Sequence, residues 1–361
     1  MTIAPTRDVQ DVLETSRLPA AAELGLVLRD ICGGAGSVRL EALHKLKTNV
    51  YRAQLESDDG SRSLVLKCSN PALTRRNLLV ARRWLPAIGM PDAGAQLMGS
   101  AADGQGERMW LIYEDLGDAR LDAVATDRTK VGLAIDLIVT LHVRSAGHAV
   151  LPDIRAHAGD LGAAYLTANV RDAVRSLDLL RAGGGAAKLT LTTAQQAVIE
   201  RLLERLRPLE RELPDRTRTL EQEGGPEVLL HGDLWTTNTF VLDGTDGWYA
   251  KLVDWDHAAV GRATYDLSTF LLRFPPEERA WILERYRAGI SAGGWSLPET
   301  AALNVQLETA EFARYANRVV WPAVARLVDG ATWAFDELAM VADWFDVWTP
   351  VMPAVQDPAA V

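Results

Sequence analysis

Cysteine is scarce in this chain. Cys32 and Cys68 are the only two among 361 residues, too few for a disulfide framework, and the setting they suit is a reducing cytoplasm. Long apolar runs are lacking too: no stretch reaches the roughly eighteen apolar residues of a membrane span. Met1 to Ala20 is polar and interrupted by Asp8, Asp11 and Glu14, so no signal sequence is expected. Positive charge is in deficit, with 38 Lys and Arg against 48 Asp and Glu and a formal net charge of −10. That balance argues against a nucleic-acid partner, which wants a basic face. It serves solubility, and it equally suits a cleft that draws in a cationic ligand. Internal repeats and low-complexity blocks are absent, and a chain of this length with 48% hydrophobic residues can bury two cores.

What is present is concentrated in one segment. His231-Gly232-Asp233-Leu234-Trp235-Thr236-Thr237-Asn238 is followed by the apolar pair Leu252-Val253 and then by Asp254-Trp255-Asp256. Phosphoryl transfer asks a protein mainly to position nucleophile and phosphates while metal ions neutralise charge on the phosphate oxygens. Asp233 is placed to orient the proton of an attacking hydroxyl. Five residues on, the amide oxygen of Asn238 can reach a magnesium ion. Asp254 follows Lys251, Leu252 and Val253, so it should emerge from the end of a buried strand as a second hard oxygen ligand for Mg2+. The plainer alternative is that His231 to Asn238 is only a turn between a helix and a hairpin.

The rest of the chain divides by pattern. A helix is expected over Ala20 to Ile31, ending at Gly33-Gly34. Short apolar runs at Val38 to Lys45, Val50 to Leu55 and Ser63 to Lys67, broken by Asp58-Asp59-Gly60-Ser61, read as a three-stranded meander. Pro71 to Leu85 reads as a helix with proline in its first turn, and Met109 to Tyr113 as another strand. Beyond Gly117 helices dominate: Lys130 to Val143, two or three between Gly159 and Leu213 interrupted at Gly183-Gly184-Gly185, then about Asp266 to Leu272, Pro276 to Ile290, Pro298 to Val328 and Thr332 to Trp348. The Pro- and Ala-rich tail from Pro350 is expected to fray.

The loop resembles the protein-kinase catalytic loop, with Gly232 in place of its Arg. Only eleven residues separate Asp254 from Asp266, too few for an activation segment. The His-Gly-Asp loop, together with Val253 to Ala258 and Tyr265-Asp266-Leu267-Ser268, resembles the aminoglycoside phosphotransferase and choline kinase family. That resemblance implies an α+β, bilobal protein-kinase-like fold. A small antiparallel-sheet lobe over residues 1–114, with an N-terminal helix within 1–35, would bind nucleotide; a large, mainly helical lobe over 115–361 would carry catalysis and the acceptor. It implies ATP or GTP as phosphoryl donor, Asp266 and His231 as supports of the catalytic loop, and Lys67 as the cation against the phosphates. Lys47, Thr48 and Asn49 occupy the place of a phosphate-covering loop, without the glycine that eases backbone approach. Glu114 to Leu116 would form the hinge that meets the nucleobase. One departure stands out: no acidic residue occurs between Lys67 and Asp92, where the helix Glu that pairs with the lysine belongs.

The acceptor implied is a small hydroxylated molecule, among them aminoglycosides or other antibiotics, aminosugars and amino alcohols, with antibiotic resistance as one setting. Acidic and aromatic residues of the C-terminal helices, including Glu308, Glu311, Asp343, Trp344, Asp346 and Trp348, suit a cationic ligand, though the tryptophan spacing is also that of core packing. Asp256 and His257 stand beside the metal ligands as substrate or metal contacts, or as caps. Two other classes compete. A metal-dependent phosphohydrolase would use His231, Asp233, Asp254, Asp256 and His257 as ligands, and a silent nucleotide-binding pseudokinase would explain the missing Glu.

Overall fold

The computed structural model describes residues 7–33, 37–122, 127–184 and 190–353; Gly34, Gly185 and the tail beyond Pro353, on which some expectations fall, lie outside them. The chain separates into two compact units, 1–121 with 237–258 and 122–236 with 259–361. One holds a small antiparallel sheet and the other is larger and mainly helical, the bilobal protein-kinase-like architecture.

In the first unit, strands β1 (Arg7–Asp8), β2 (Arg39–Lys47), β3 (Val50–Ser57), β4 (Gly60–Ser69), β5 (Leu97–Ala102) and β6 (Met109–Glu114) form one sheet in the order β1-β2-β3-β4-β6-β5, every neighbouring pair antiparallel. The alternation of side chains along a strand sorts β4 into two faces. Leu64, Leu66 and Cys68 enter the core, and Val65 and Lys67 take the other side. Trp110 and Ile112 of β6 meet the same core, which the helices Val9–Thr15 and Ala21–Ile31 cover with Val9, Leu13, Leu24 and Leu28. Trp110 is fully buried and its indole Nε1 donates to the Pro19 carbonyl at 2.6 Å. Trp110→Ala should therefore cost about 3–5 kcal/mol of stability, read as a lower denaturant midpoint; a change under about 1 kcal/mol would show that this core is not continuous.

After β4 the chain enters the helix Pro71–Leu79, where the Asn70 side chain caps the Leu73 amide at 3.0 Å and proline occupies the first turn. The expected helix to Leu85 is not uniform: Val80–Trp84 is a π-helical turn. A hairpin of Thr239–Gly244 and Gly247–Leu252 completes this unit, with Leu121 and Val241 amides donating to the carbonyls of Thr239 and Ala119.

In the second unit the helices Ala163–Arg181, Thr193–Glu223, Thr300–Asp329 and Ala334–Asp346 enclose one apolar core. Thr193–Glu223 runs through Pro208 and Pro214 and opens with a capping box of Thr192 and Gln195. Proline normally breaks a helix; here Leu202, Leu206, Leu209 and Leu213 fall on one buried face, and tertiary packing holds the helix together across both prolines. Glu227–Leu230 pairs antiparallel with Ala259–Arg262. Among the described residues no helix is long and apolar enough to cross a membrane.

Candidate active site

Lys67 leaves β4 on the face away from the core, between Val50 of β3 and Leu111 of β6. Its ammonium group lies 2.5 Å from one Asp254 oxygen and 2.6 Å from Asp256, and its side chain is only 13% exposed. The other Asp254 oxygen accepts from Lys47 at 2.7 Å. Burial works to raise the Asp254 carboxyl, but Lys67 and Lys47 beside it more than offset that, leaving it well below the usual carboxylate range and ionised. Asp254 also holds a left-handed backbone, φ 69° and ψ 57°, a sparsely populated conformation for a non-glycine residue of the kind that clusters at functional sites.

These groups line a cavity of about 600 Å³ in the first unit, within the range of small-ligand pockets. Lys47, Lys67, Glu114, Leu116, Asn238 and Asp254 all contribute to its wall, with Val50, Val65, Leu97, Tyr113, Phe240 and Leu252 as apolar surface. Thr48 and Asn49 stand on the exposed β2–β3 turn and do not line it; Asn49 takes a φ of 61°, the conformation a glycine would ordinarily supply. His257 is exposed, and Asp256 turns to Lys67. The Glu114 side chain accepts from Lys251 and from the Gln96 amide. Burial pushes the Tyr113 phenol up, Asp256 and Asp254 adding to it, so the phenol stays neutral.

Sequence reasoning gave Lys251, Tyr113 and Asn77 no role at the site. Lys251 had a signal: a cation one residue before a buried apolar pair on a strand needs a partner. Asn77 had a weaker one, a neutral amide in the region of the helix where a Glu would be expected.

The second unit braces the loop that carries Asp233. The pair Glu227–Leu230 and Ala259–Arg262 delivers His231, which is fully buried. Asp266, also fully buried on the helix Thr264–Leu271, accepts the His231 amide at 2.7 Å and the Gly232 amide at 2.9 Å. Gly232 has φ 82°, a left-handed position that a side chain would strain. His142, from the helix Arg128–Ser145, faces Asp266 at 3.4 Å through Nε2 and the Tyr286 hydroxyl at 2.8 Å through Nδ1. Asp233 itself is half-buried; its amide donates to His231 Nδ1 at 3.3 Å, and its carbonyl accepts from Trp235.

Five acidic side chains of the C-terminal helices are engaged by arginine. Glu308 pairs with Arg216, Glu311 with Arg314, Glu337 with Arg318, and Asp343 and Asp346 with Arg201. Trp344 stacks on Tyr315 with ring centroids 3.4 Å apart and packs against the helical core, the packing alternative that the tryptophan spacing carries. Among the described residues no three His, Cys, Asp or Glu side chains gather as a metal centre, which is what the phosphohydrolase reading needs.

Residues 48–303 match the model of the phosphotransferase enzyme family. No curated protein matches the chain by sequence. Among solved structures it is similar to an ethanolamine kinase of Plasmodium vivax, at 10% identity over 96% of either chain with a TM-score of 0.61. It is similar also to the AMP-bound spectinomycin phosphotransferase, at 13% identity over 96% of either chain and a TM-score of 0.55. A macrolide 2'-phosphotransferase from Brachybacterium faecium shares 18% identity over 89% of this chain and 98% of its own, with a TM-score of 0.53. At such identities the likeness establishes the fold.

Proposed function

From the premise that the chain belongs to the phosphotransferase enzyme family, we propose that it moves the terminal phosphoryl group of ATP or GTP to a hydroxyl of a small molecule. The observation that carries this reading is the Lys67 ammonium, deep in a nucleotide-sized cavity and flanked by Asp254, with Asn238 on the same wall. A lysine so placed suits phosphate oxygens, and Glu114 to Leu116 lies where a nucleobase would meet backbone. Asn238 and Asp254 are hard oxygen donors, one neutral and one held ionised, a set that fits magnesium completed by water and phosphate oxygens. Magnesium, when bound, neutralises charge on the transferred phosphate. Asp233, on the loop that Asp266 fastens, orients the acceptor hydroxyl and takes its proton. The two buried, unpaired cysteines accord with a cytoplasmic setting.

The acceptor is a hydroxylated compound of the antibiotic, aminosugar or amino-alcohol kind. It need not be a cation, since Glu308, Glu311 and Asp343 are engaged by arginine. Mass spectrometry tests the reading directly. A panel of aminoglycosides, other hydroxylated antibiotics, aminosugars and amino alcohols is incubated with the protein, magnesium and ATP or GTP. One compound should gain a single phosphoryl group. Release of inorganic phosphate at the same rate with and without every acceptor would instead favour hydrolysis.

A further inference from the structure

The helix that follows β4 has no carboxylate to offer Lys67, for Asp and Glu are absent between Lys67 and Asp92. We infer that Asp256, fastened by Asn77 and Arg76, holds Lys67 in place of a helix Glu and so leaves Asp254 to magnesium. The inference rests on the phosphotransferase reading and assigns Asp256 a positioning role.

Three contacts carry it. Asp256 Oδ1 accepts from Lys67 Nζ at 2.6 Å and from Asn77 Nδ2 at 2.7 Å. Asn77 is 3% exposed, and its amide also donates to the Leu73 carbonyl at 2.9 Å, which fixes its direction. The Arg76 guanidinium donates to the backbone carbonyl of Asp256. The polarity of the usual arrangement is thus reversed. Helix Pro71–Leu79 supplies donors, and the carboxylate comes from the short turn Trp255–His257, itself seated by the buried Trp255.

The division of labour between the two carboxylates follows from their neighbours. Asp254 has one oxygen on Lys67 and the other on Lys47, so a divalent cation on Asp254 competes with both ammonium groups. The Lys47 side chain is 59% exposed and can turn to water. Lys67 is 13% exposed and cannot, so when Asp254 is taken it needs a protein anion to hold it toward the phosphates. Asp256 is that anion, and Asn77 and Arg76 keep it from following Asp254 toward the metal.

The test is calorimetric binding of ATP across a magnesium titration in the wild type, Asp256→Asn, and the exchange Asp256→Asn with Asn77→Asp. The single variant leaves Lys67 only Asp254 to hold, so half-saturating magnesium should rise about tenfold, the scale of one charge-assisted hydrogen bond. The exchange returns one carboxylate and one amide to the pair and should recover to within about threefold of the wild type. It also controls for folding. A single variant that titrates like the wild type overturns the inference. So does an exchange as weak as the single variant, the result a directly coordinating Asp256 would give. A wild type that binds neither ATP nor GTP at any magnesium concentration sinks the phosphotransferase reading itself, a separate outcome.

Discussion

Asp233→Asn yields a folded protein that still binds nucleotide but transfers phosphoryl groups about 10²- to 10⁴-fold more slowly, the usual contribution of a positioned general base. The loop is held through its backbone. Its amide contact to His231 and its carbonyl contact from Trp235 are made by backbone, and the amides before it are held by Asp266. Asparagine keeps the side-chain volume while losing the ability to accept a proton. Single-turnover rates with the acceptor identified by mass spectrometry, set beside thermal melts, give the answer. A variant at the wild-type rate with an unchanged melt would remove Asp233 from the chemistry.

Asp266→Ala should act on the same loop by the opposite route, through stability. Asp266 is fully buried and satisfies two backbone amides and faces His142, so its loss strands several buried donors at once. The expected cost is about 3–5 kcal/mol, a fall of roughly 5–15 °C in Tm, with activity lost as the loop loosens. The effect carries a pH signature. Burial works to raise the Asp266 carboxyl, but His142, His231 and the Gly232 amide more than offset it, so its folded-state value is lowered. A depressed carboxylate stabilises above its unfolded value of about 3.9 and gives up that stabilisation as pH falls through the folded value. The gap between the wild-type and Asp266→Ala melts should therefore be full at pH 7 and narrow below about pH 4. A gap constant from pH 7 to pH 3 would show that the carboxylate charge contributes nothing.

The fold was legible wherever a side-chain pattern decided the structure. The apolar run from Ser63 to Lys67, bounded by turn residues, marked a strand, and the 3.6-residue spacing of Val131, Ala134, Ile138 and Leu141 marked a helix observed at Arg128–Ser145. What escaped were elements decided by partners far along the chain. Leu97–Ala102 has little apolar pattern of its own and is a strand because β6 pairs with it. The helices expected before the catalytic segment stopped at Leu213, whereas Thr193–Glu223 runs on through Pro214 because three neighbouring helices hold its leucines. At the site, the spacing of Asp233, Asn238 and Asp254 drew attention to the loop, the family resemblance implied Asp266 as its support, and in the structure Asp266 accepts the His231 and Gly232 amides. The partners of Lys67 did not show in sequence, because a hydrogen bond between residues 189 positions apart leaves no local trace.

One feature of the chain's path bears on how the protein is made. The sheet and the hairpin that carries Asn238 and leads into Asp254 belong to one compact unit, yet residues 122–236, which belong to the other, lie between them in the chain. During synthesis the sheet, with Lys67 already aimed outward, leaves the ribosome long before the carboxylates that neutralise it. A half-built cavity with an apolar wall and an unpaired ammonium therefore waits while more than a hundred further residues are translated, at roughly 5–20 residues per second. That interval leaves the apolar wall open to misassociation, and a stall placed just before the codon for Thr237 would prolong it.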